Sequence, residues 1–357
     1  MRSSISTRHL TLALYATLTL SFTLVLPAKS KAEPSATFQC ESLFVTFSQE
    51  VAPPPAVNLY PVRGPKNHDY HLVAKDAAET YERVLAKVSQ LPPSGKPLLS
   101  IVMPAYREGQ RLPRSLELVR EFMDTYKLDY EVIVVVERSP DDSFDVGTIA
   151  AEGDPRIRVV QNTDGLGQPM QAGKGFAVRM GMQRANGRYR LFMDSDLSTS
   201  LTEILRFLDT MIPDATDAAG TVRPQMLIGS RAEQAGTDAQ ARTMMRELMS
   251  STMRKLTSFL GRPPEILDTQ CGFKMFTEDS ANLLFALQRE NGFAFDVELL
   301  LLAAKFQYVI QAQPVEWIDA PGSTVDPIKD SIKMLRAMLR IRGETRDVDR
   351  AVRRGSQ

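Results

Sequence analysis

Only two cysteines, three histidines and one tryptophan occur among the 357 residues. Cys40 and Cys271 lie far apart and no Cys/His cluster has metal-ligand spacing, which argues against a zinc site and a disulfide framework. So few histidines, two of them close together at His68 and His71, also argue against a histidine-based catalytic triad. Net charge is missing as well. Lys+Arg 43 balances Asp+Glu 43, so no global field draws in nucleic acid, and any basic character is local. No segment beyond Leu26 is long and apolar enough to span a bilayer. What is present, 43% hydrophobic and 24% charged residues, suits a globular protein with a sizeable core.

The N-terminus stands apart from the rest. Arg2 and Arg8 precede an apolar stretch from Leu10 to Leu26, and Ser30-Lys31-Ala32 offers small residues at cleavage spacing. Residues 1–32 therefore read as a secretory signal peptide cleaved near Ala32 or as an N-terminal membrane anchor; the segment itself does not choose. Residues 33–96 are rich in proline, with Pro53-Pro54-Pro55 and Pro92-Pro93, and read as linker with one helix over Ala74–Gln90. Residues 97–345 form the expected catalytic domain, and 346–357 a polar tail.

Within 97–345 apolar runs alternate with helical periodicity. Strands are expected over Leu98–Met103, Glu131–Val136, Arg156–Val160, Tyr189–Met193 and Met226–Ile228, and helices over Leu112–Tyr126, Gly173–Ala185 and Glu203–Met211. This alternation implies an α/β fold with a mostly parallel, Rossmann-like sheet flanked by helices, whose ligands bind beyond the carboxyl ends of the strands. Asp194-Ser195-Asp196 emerges at such an end. Two carboxylates at i and i+2 on an extended segment point to one side, so both can approach one hard cation, Mg²⁺ or Mn²⁺, which also binds phosphates.

Several segments in order resemble the family 2 glycosyltransferases with the GT-A fold, nearest to the dolichyl (polyprenyl) phosphate β-glucosyltransferase branch. They are SIVMPAYREGQRL (Ser100–Leu112), YEVIVVVERSPDD (Tyr130–Asp142), GKGFAVRMGM (Gly173–Met182), MDSDLST (Met193–Thr199), GSR (Gly229–Arg231), DTQCGFKMF (Asp268–Phe276) and FAFDVELL (Phe293–Leu300). The likeness covers roughly Leu98 to Arg342.

The resemblance implies roles residue by residue. Pro104, Ala105 and Tyr106 turn the chain beside a base or ribose, Glu108 accepts from ribose hydroxyls, and Glu137 reads the uracil edge. Lys174, opening a helix between two glycines, brings positive charge to the nucleotide. Asp194 and Asp196 hold the divalent cation, Arg231 lies near the diphosphate, and Asp268–Lys274 forms the acceptor side. Cys271 is a buried small hydrophobe rather than a nucleophile. On the last helix Asp296 is favoured as the acceptor-side acid, with Glu298 a structural partner of an arginine. The chain departs from the family at Val136-Glu137-Arg138, where a second acid and a turn glycine are expected.

The implied reaction moves a hexose, glucose, from a UDP-sugar to a polyprenyl phosphate with inversion. A phosphate acceptor, with a second pKa of about 6, needs no general base, so Asp296 would orient it; a sugar hydroxyl would need a base. Two basic amphipathic stretches read equally as membrane-contacting faces or as core helices. One is Arg242–Leu260; the other carries Lys329, Lys333, Arg336 and Arg340 beside Ile332, Leu335 and Leu339. The resulting enzyme is membrane-associated with a cytoplasmic-facing catalytic domain. The rivals are an exported, catalytically weakened glycan- or nucleotide-binding protein, and a transferase with another glycan acceptor.

Overall fold

The strands Leu99–Ala105 (β1) and Tyr130–Val136 (β2) are buried at every position, as uninterrupted Val/Ile/Leu runs require when both faces of a sheet are covered. They belong to a computed structural model that describes residues 74–164, 166–218, 220–231, 263, 265–318, 337, 340 and 341. The expected leader or anchor, most of the linker, the stretch at Arg242–Leu260, all but Arg340 of the C-terminal basic and apolar line, and the tail lie outside the described residues. No described helix is long and apolar enough to cross a membrane.

In chain order the elements are α1 (Ala74–Gln90), β1, α2 (Leu112–Thr125), β2, α3 (Ser143–Ala151), β3 (Ile157–Gln161), α4 (Lys174–Arg184), β4 (Tyr189–Met193) and α5 (Thr202–Met211). They continue with β5 (Met226–Ser230), β6 (Phe273–Thr277), α6 (Glu278–Leu287), α7 (Phe295–Lys305) and β7 (Ile310–Pro314). The sheet runs β3-β2-β1-β4-β6-β5-β7. Every pairing among β1–β4 is parallel, as is β5 with β7; β6 runs antiparallel to both β4 and β5. The mostly parallel sheet expected from the alternation is therefore present, with one reversed strand set into it.

Period-two alternation divides the core into two layers. Ile101, Met103, Val132, Val134, Leu191, Phe273 and Met275 pack under α1, α2 and α5, while Val102, Ile133, Val135, Phe192, Ile228 and Phe276 pack under α4, α6 and α7. Gly181 lets α4 lie against the sheet, because a Cβ there would run into Val102 and crowd Val135. The helix expected inside the linker, α1, belongs to the first layer. Tyr81 and Val84 are buried in that core, the Tyr81 ring lies tilted against Tyr126 with centroids 5.0 Å apart, and Lys87 Nζ reaches Asp209 Oδ1 at 2.7 Å. Strands β6 and β7 and helices α3 and α6 were not anticipated. Lys274 interrupts the apolar pattern of β6, Gln311, Gln313 and Pro314 that of β7, and α3 has little amphipathic contrast.

If α1 is part of the core, Tyr81→Ala lowers the unfolding free energy by about 3 kcal/mol in urea titration, in the range for large aromatic truncations. A helix merely tethered in a linker would leave the midpoint unchanged.

Candidate active site

The reversed strand matters because it brings the start of β6 to the carboxyl ends of β4 and β5. Asp194 follows β4 directly, and its backbone N–H donates to the Gly272 carbonyl at 3.1 Å. Glycine is required at 272: a Cβ there would collide with the Asp194 carboxylate. Beyond Asp196 the chain doubles back through Leu197, which adopts a left-handed φ of 53°, a conformation that costs a non-glycine residue about 1 kcal/mol or more. The Ser198 N–H then donates to Asp196 Oδ1 at 3.0 Å. Backbone bonds from Ser200 to Glu316 and from Ile318 to Ser198 clip this turn to the segment after β7.

Charge of the opposite sign surrounds the pair. Lys174, at the start of α4, places Nζ 2.5 Å from Asp194 Oδ1. Burial alone would pull the Lys174 pKa down, but Asp194, Asp296 and Asp196 outweigh it and hold the ammonium above its ordinary value. The position of Lys174 is fixed by Gly173, whose φ of 112° and close approach to the Asn291 carbonyl exclude a side chain. Gln288 Nε2 bonds the Gly175 carbonyl at 2.9 Å, tying α4 to the loop before α7.

At the start of α7, Asp296 is buried, and burial raises its pKa while Lys274 and Lys174 pull it back. Lys274 Nζ lies 2.7 Å from Asp296 Oδ1. Glu298 is engaged elsewhere. Its carboxylate accepts the backbone N–H groups of Arg289 and Glu290 at 3.0 and 2.7 Å, and its charge acts on Arg179. That agrees with a structural role for Glu298 and leaves Asp296 facing the site.

On the far side Arg231 grips Asp268 through two parallel bonds, Nε to Oδ2 at 2.7 Å and Nη2 to Oδ1 at 2.9 Å. Burial opposes both charges, yet the pairing keeps Arg231 above and Asp268 below their ordinary values. Arg231 also faces the Trp317 ring, 5.3 Å from its centroid. Cys271 is buried and unoxidised, with its thiol pushed up to about 11 mainly by burial, so it is no nucleophile near neutral pH.

The remaining expected residues divide. Pro104 and Ala105 do not form the turn themselves; they end β1, paired with Val135 and Val136, because β1 runs longer than expected. The turn falls at Tyr106 and Arg107, which has a left-handed φ of 59° and lies against the Tyr106 ring. Glu108 is drawn into the site: burial raises its pKa, Arg111 lowers it through a bidentate contact, and Asp196 and Asp194 raise it again. Glu137 is 4% exposed, and its oxygens accept from Asn162 Nδ2 at 3.0 Å and from the Gly173 N–H at 3.0 Å, so it anchors the turn before Lys174.

Reading the sequence placed Lys274 on the acceptor side without its partner Asp296, and missed Trp317 as a member of the site. A lysine inside Phe273-Lys274-Met275-Phe276 and the sole tryptophan were the available signals.

Among the described residues no three His, Cys, Asp or Glu side chains converge as a metal cage. The donor chemistry nonetheless fits a hard divalent cation. Mg²⁺ characteristically takes one or two carboxylates and completes its shell with water and substrate phosphates, and Asp194 and Asp196 supply such a pair at a partly open position.

A family model described as Glycosyl transferase family 2 matches residues 100–281. Dolichyl-phosphate beta-glucosyltransferase of Drosophila melanogaster is 34% identical over 253 residues, 68% of this chain and 74% of that protein. The protein of the same name from Dictyostelium discoideum is 32% identical over 250 residues, 68% of this chain and 73% of that protein. Among solved structures, glucosyl-3-phosphoglycerate synthase from Mycobacterium tuberculosis in complex with Mn²⁺, uridine diphosphate and glucosyl-3-phosphoglycerate superposes with a TM-score of 0.51 at 18% identity, covering 74% of this chain and 84% of that one. Its complex with Mn²⁺, UDP-glucose and phosphoglyceric acid gives 0.50 at 18% identity, covering 73% and 83%.

The Arg231–Asp268 pair sets a pH dependence. Asp268 is held below its ordinary 3.8, so its contribution is present above that value and is lost as pH falls through the lower folded value. Asp268→Asn is expected to cost about 2 kcal/mol at pH 7. The gap from the parent protein should narrow below pH 3.8 in denaturant titrations; a gap independent of pH would contradict the pairing.

Proposed function

Given that the chain belongs to glycosyl transferase family 2, and is a glycosyltransferase on the GT-A fold, we propose that it moves glucose from UDP-glucose to a polyprenyl phosphate with inversion. The observation that carries this reading is the Asp194/Asp196 pair at the carboxyl end of β4, with Lys174 against it and Asp296 buried behind. The names of the relatives, dolichyl-phosphate beta-glucosyltransferases, support the donor sugar and the acceptor class.

In this reading Asp194 and Asp196 hold a divalent cation, Mg²⁺ or Mn²⁺, which supplies charge neutralisation for the departing diphosphate. The protein's own groups do the rest. Lys174 adds a fixed positive charge on the diphosphate side. Arg231, oriented by Asp268 and by the Trp317 ring, presents its cation at the same rim. Tyr106 and Glu108 line the nucleoside end, where the Glu108 carboxylate is placed to accept ribose hydroxyls. The acceptor phosphate is already ionised near neutral pH, so Asp296 positions it and takes no proton. The anomeric carbon–oxygen bond to the diphosphate breaks as the acceptor phosphate oxygen forms its own bond from the opposite face.

In this reading residues 97–345 are the catalytic domain, to which α1 adds core surface. A lipid acceptor places the working enzyme at a membrane surface.

The test is incubation of the purified full chain with labelled UDP-sugars and polyprenyl phosphate. UDP-glucose should give a labelled lipid product, chelation of divalent cations should stop it, and Asp196→Ala should abolish cation-dependent donor binding with the melting temperature retained. Absence of transfer from every sugar would overturn the proposal. Asp296→Asn separates the acceptors. It should lower turnover about tenfold, whereas a loss approaching the 10²–10⁴-fold worth of a general base would point to a hydroxyl acceptor.

A further inference from the structure

Lys274 is a lysine in a place built for an apolar residue. It pairs with Phe192 of β4 and Ile228 of β5 in the middle of the sheet, and it is fully buried. Phe276, two positions along β6, belongs to the core layer under α4, α6 and α7, and the alternation of the strand puts Lys274 on that face. Its ammonium ends 2.7 Å from Asp296 Oδ1, donates to the Cys271 carbonyl at 2.6 Å, and lies 5.1 Å from the centroid of the Phe192 ring. Asp296 Oδ1 takes no well-directed hydrogen bond among the described residues, so the contact is one of charge. Burying an ammonium and a carboxylate is expensive, and an apolar pair of the same volume often serves stability as well or better. Stability alone therefore gives no reason for this pair.

Its surroundings give one. Asp296 is faced by Lys274 from β6, by Lys174 from the start of α4 and by Asp194 from the end of β4. Lys174 is faced in turn by Asp194, Asp296 and Asp196. Two lysines and two aspartates thus alternate through the floor of the site, each aspartate in contact with a lysine of its own. Without Lys274, Asp296 would be a bare carboxylate whose nearest remaining cation is Lys174. In so poorly solvated a place that attraction is strong enough to redirect a flexible lysine stem. Resting on the donor reading above, we infer that Lys274 is a positioning residue of the donor site: by neutralising Asp296 it leaves Lys174 committed to Asp194 and to the diphosphate received there.

The measurement is calorimetric titration of UDP, with Mn²⁺ present, into full-length variants, which reads binding independently of any acceptor. Lys274→Met should weaken UDP roughly tenfold, the size of ordinary coupling between sites, and Lys274→Arg should bind as the parent does. Adding Asp296→Asn to Lys274→Met should restore parental affinity, because the competing carboxylate is then gone. A structural role for Lys274 predicts no such rescue. Lys274→Gln, which keeps a donor for Asp296 without the charge, serves if the methionine variant does not fold, and should show the same weakening and the same rescue. Unchanged affinity in Lys274→Met and Lys274→Gln, or weakening that Asp296→Asn fails to reverse, overturns this inference alone. A parent protein that binds no UDP overturns the donor reading and this inference with it.

Discussion

The placement of two lysines against two aspartates at the end of the sheet is the constraint from which the rest of the site follows. Asp194 contacts Lys174 and Asp296 contacts Lys274, and the second pair is buried where an unpaired charge would be costly. Satisfying them fixes four elements at once: the end of β4, the interior of β6, the start of α4 and the start of α7. Gly272 is the tightest point, since its bare Cα gives the Asp194 carboxylate its room.

The sheet topology makes that convergence possible. The four parallel strands β1, β2, β3 and β4 end at a common carboxyl edge, where a purely parallel sheet would offer loops and helix starts. The antiparallel insertion of β6 between β4 and β5 brings a strand's beginning to the same edge, and with it Asp268, Cys271 and Gly272. Arg231 leaves β5 one residue beyond Ser230 and meets Asp268 there. The turn carrying Asp194 and Asp196 and the Arg231–Asp268 pair are therefore adjacent because one strand runs the other way. Left-handed backbone at Arg107 and Leu197 marks the two turns that close around this edge, and strain of this kind is commonly found at working sites.

Much of this was legible in the chain. Buried strands announced themselves as Val/Ile/Leu runs, and the acidic pair at Asp194 and Asp196 stands at a strand end as its pattern implied. Asp268, Arg231, Lys174, Glu108 and Asp296 gather around it. The failures have physical causes. Strand β6 was hidden because Lys274 breaks its apolar run. Helix α1 lay in a proline-rich stretch whose composition said linker, while the face carrying Tyr81 and Val84 is completed only by α2 and α5. In each case tertiary partners decided the role.

The central claim is that the carboxylate pair and the alternating lysines form one sugar-nucleotide site. It is tested most directly by a crystal structure of the protein with UDP-glucose and Mg²⁺. The account predicts one Mg²⁺ bridging the diphosphate to Asp194 and Asp196 at about 2.1 Å, with Lys174 on the diphosphate side and Lys274 still against Asp296. A nucleotide bound away from the end of β4, or a cation held without either aspartate, would contradict it.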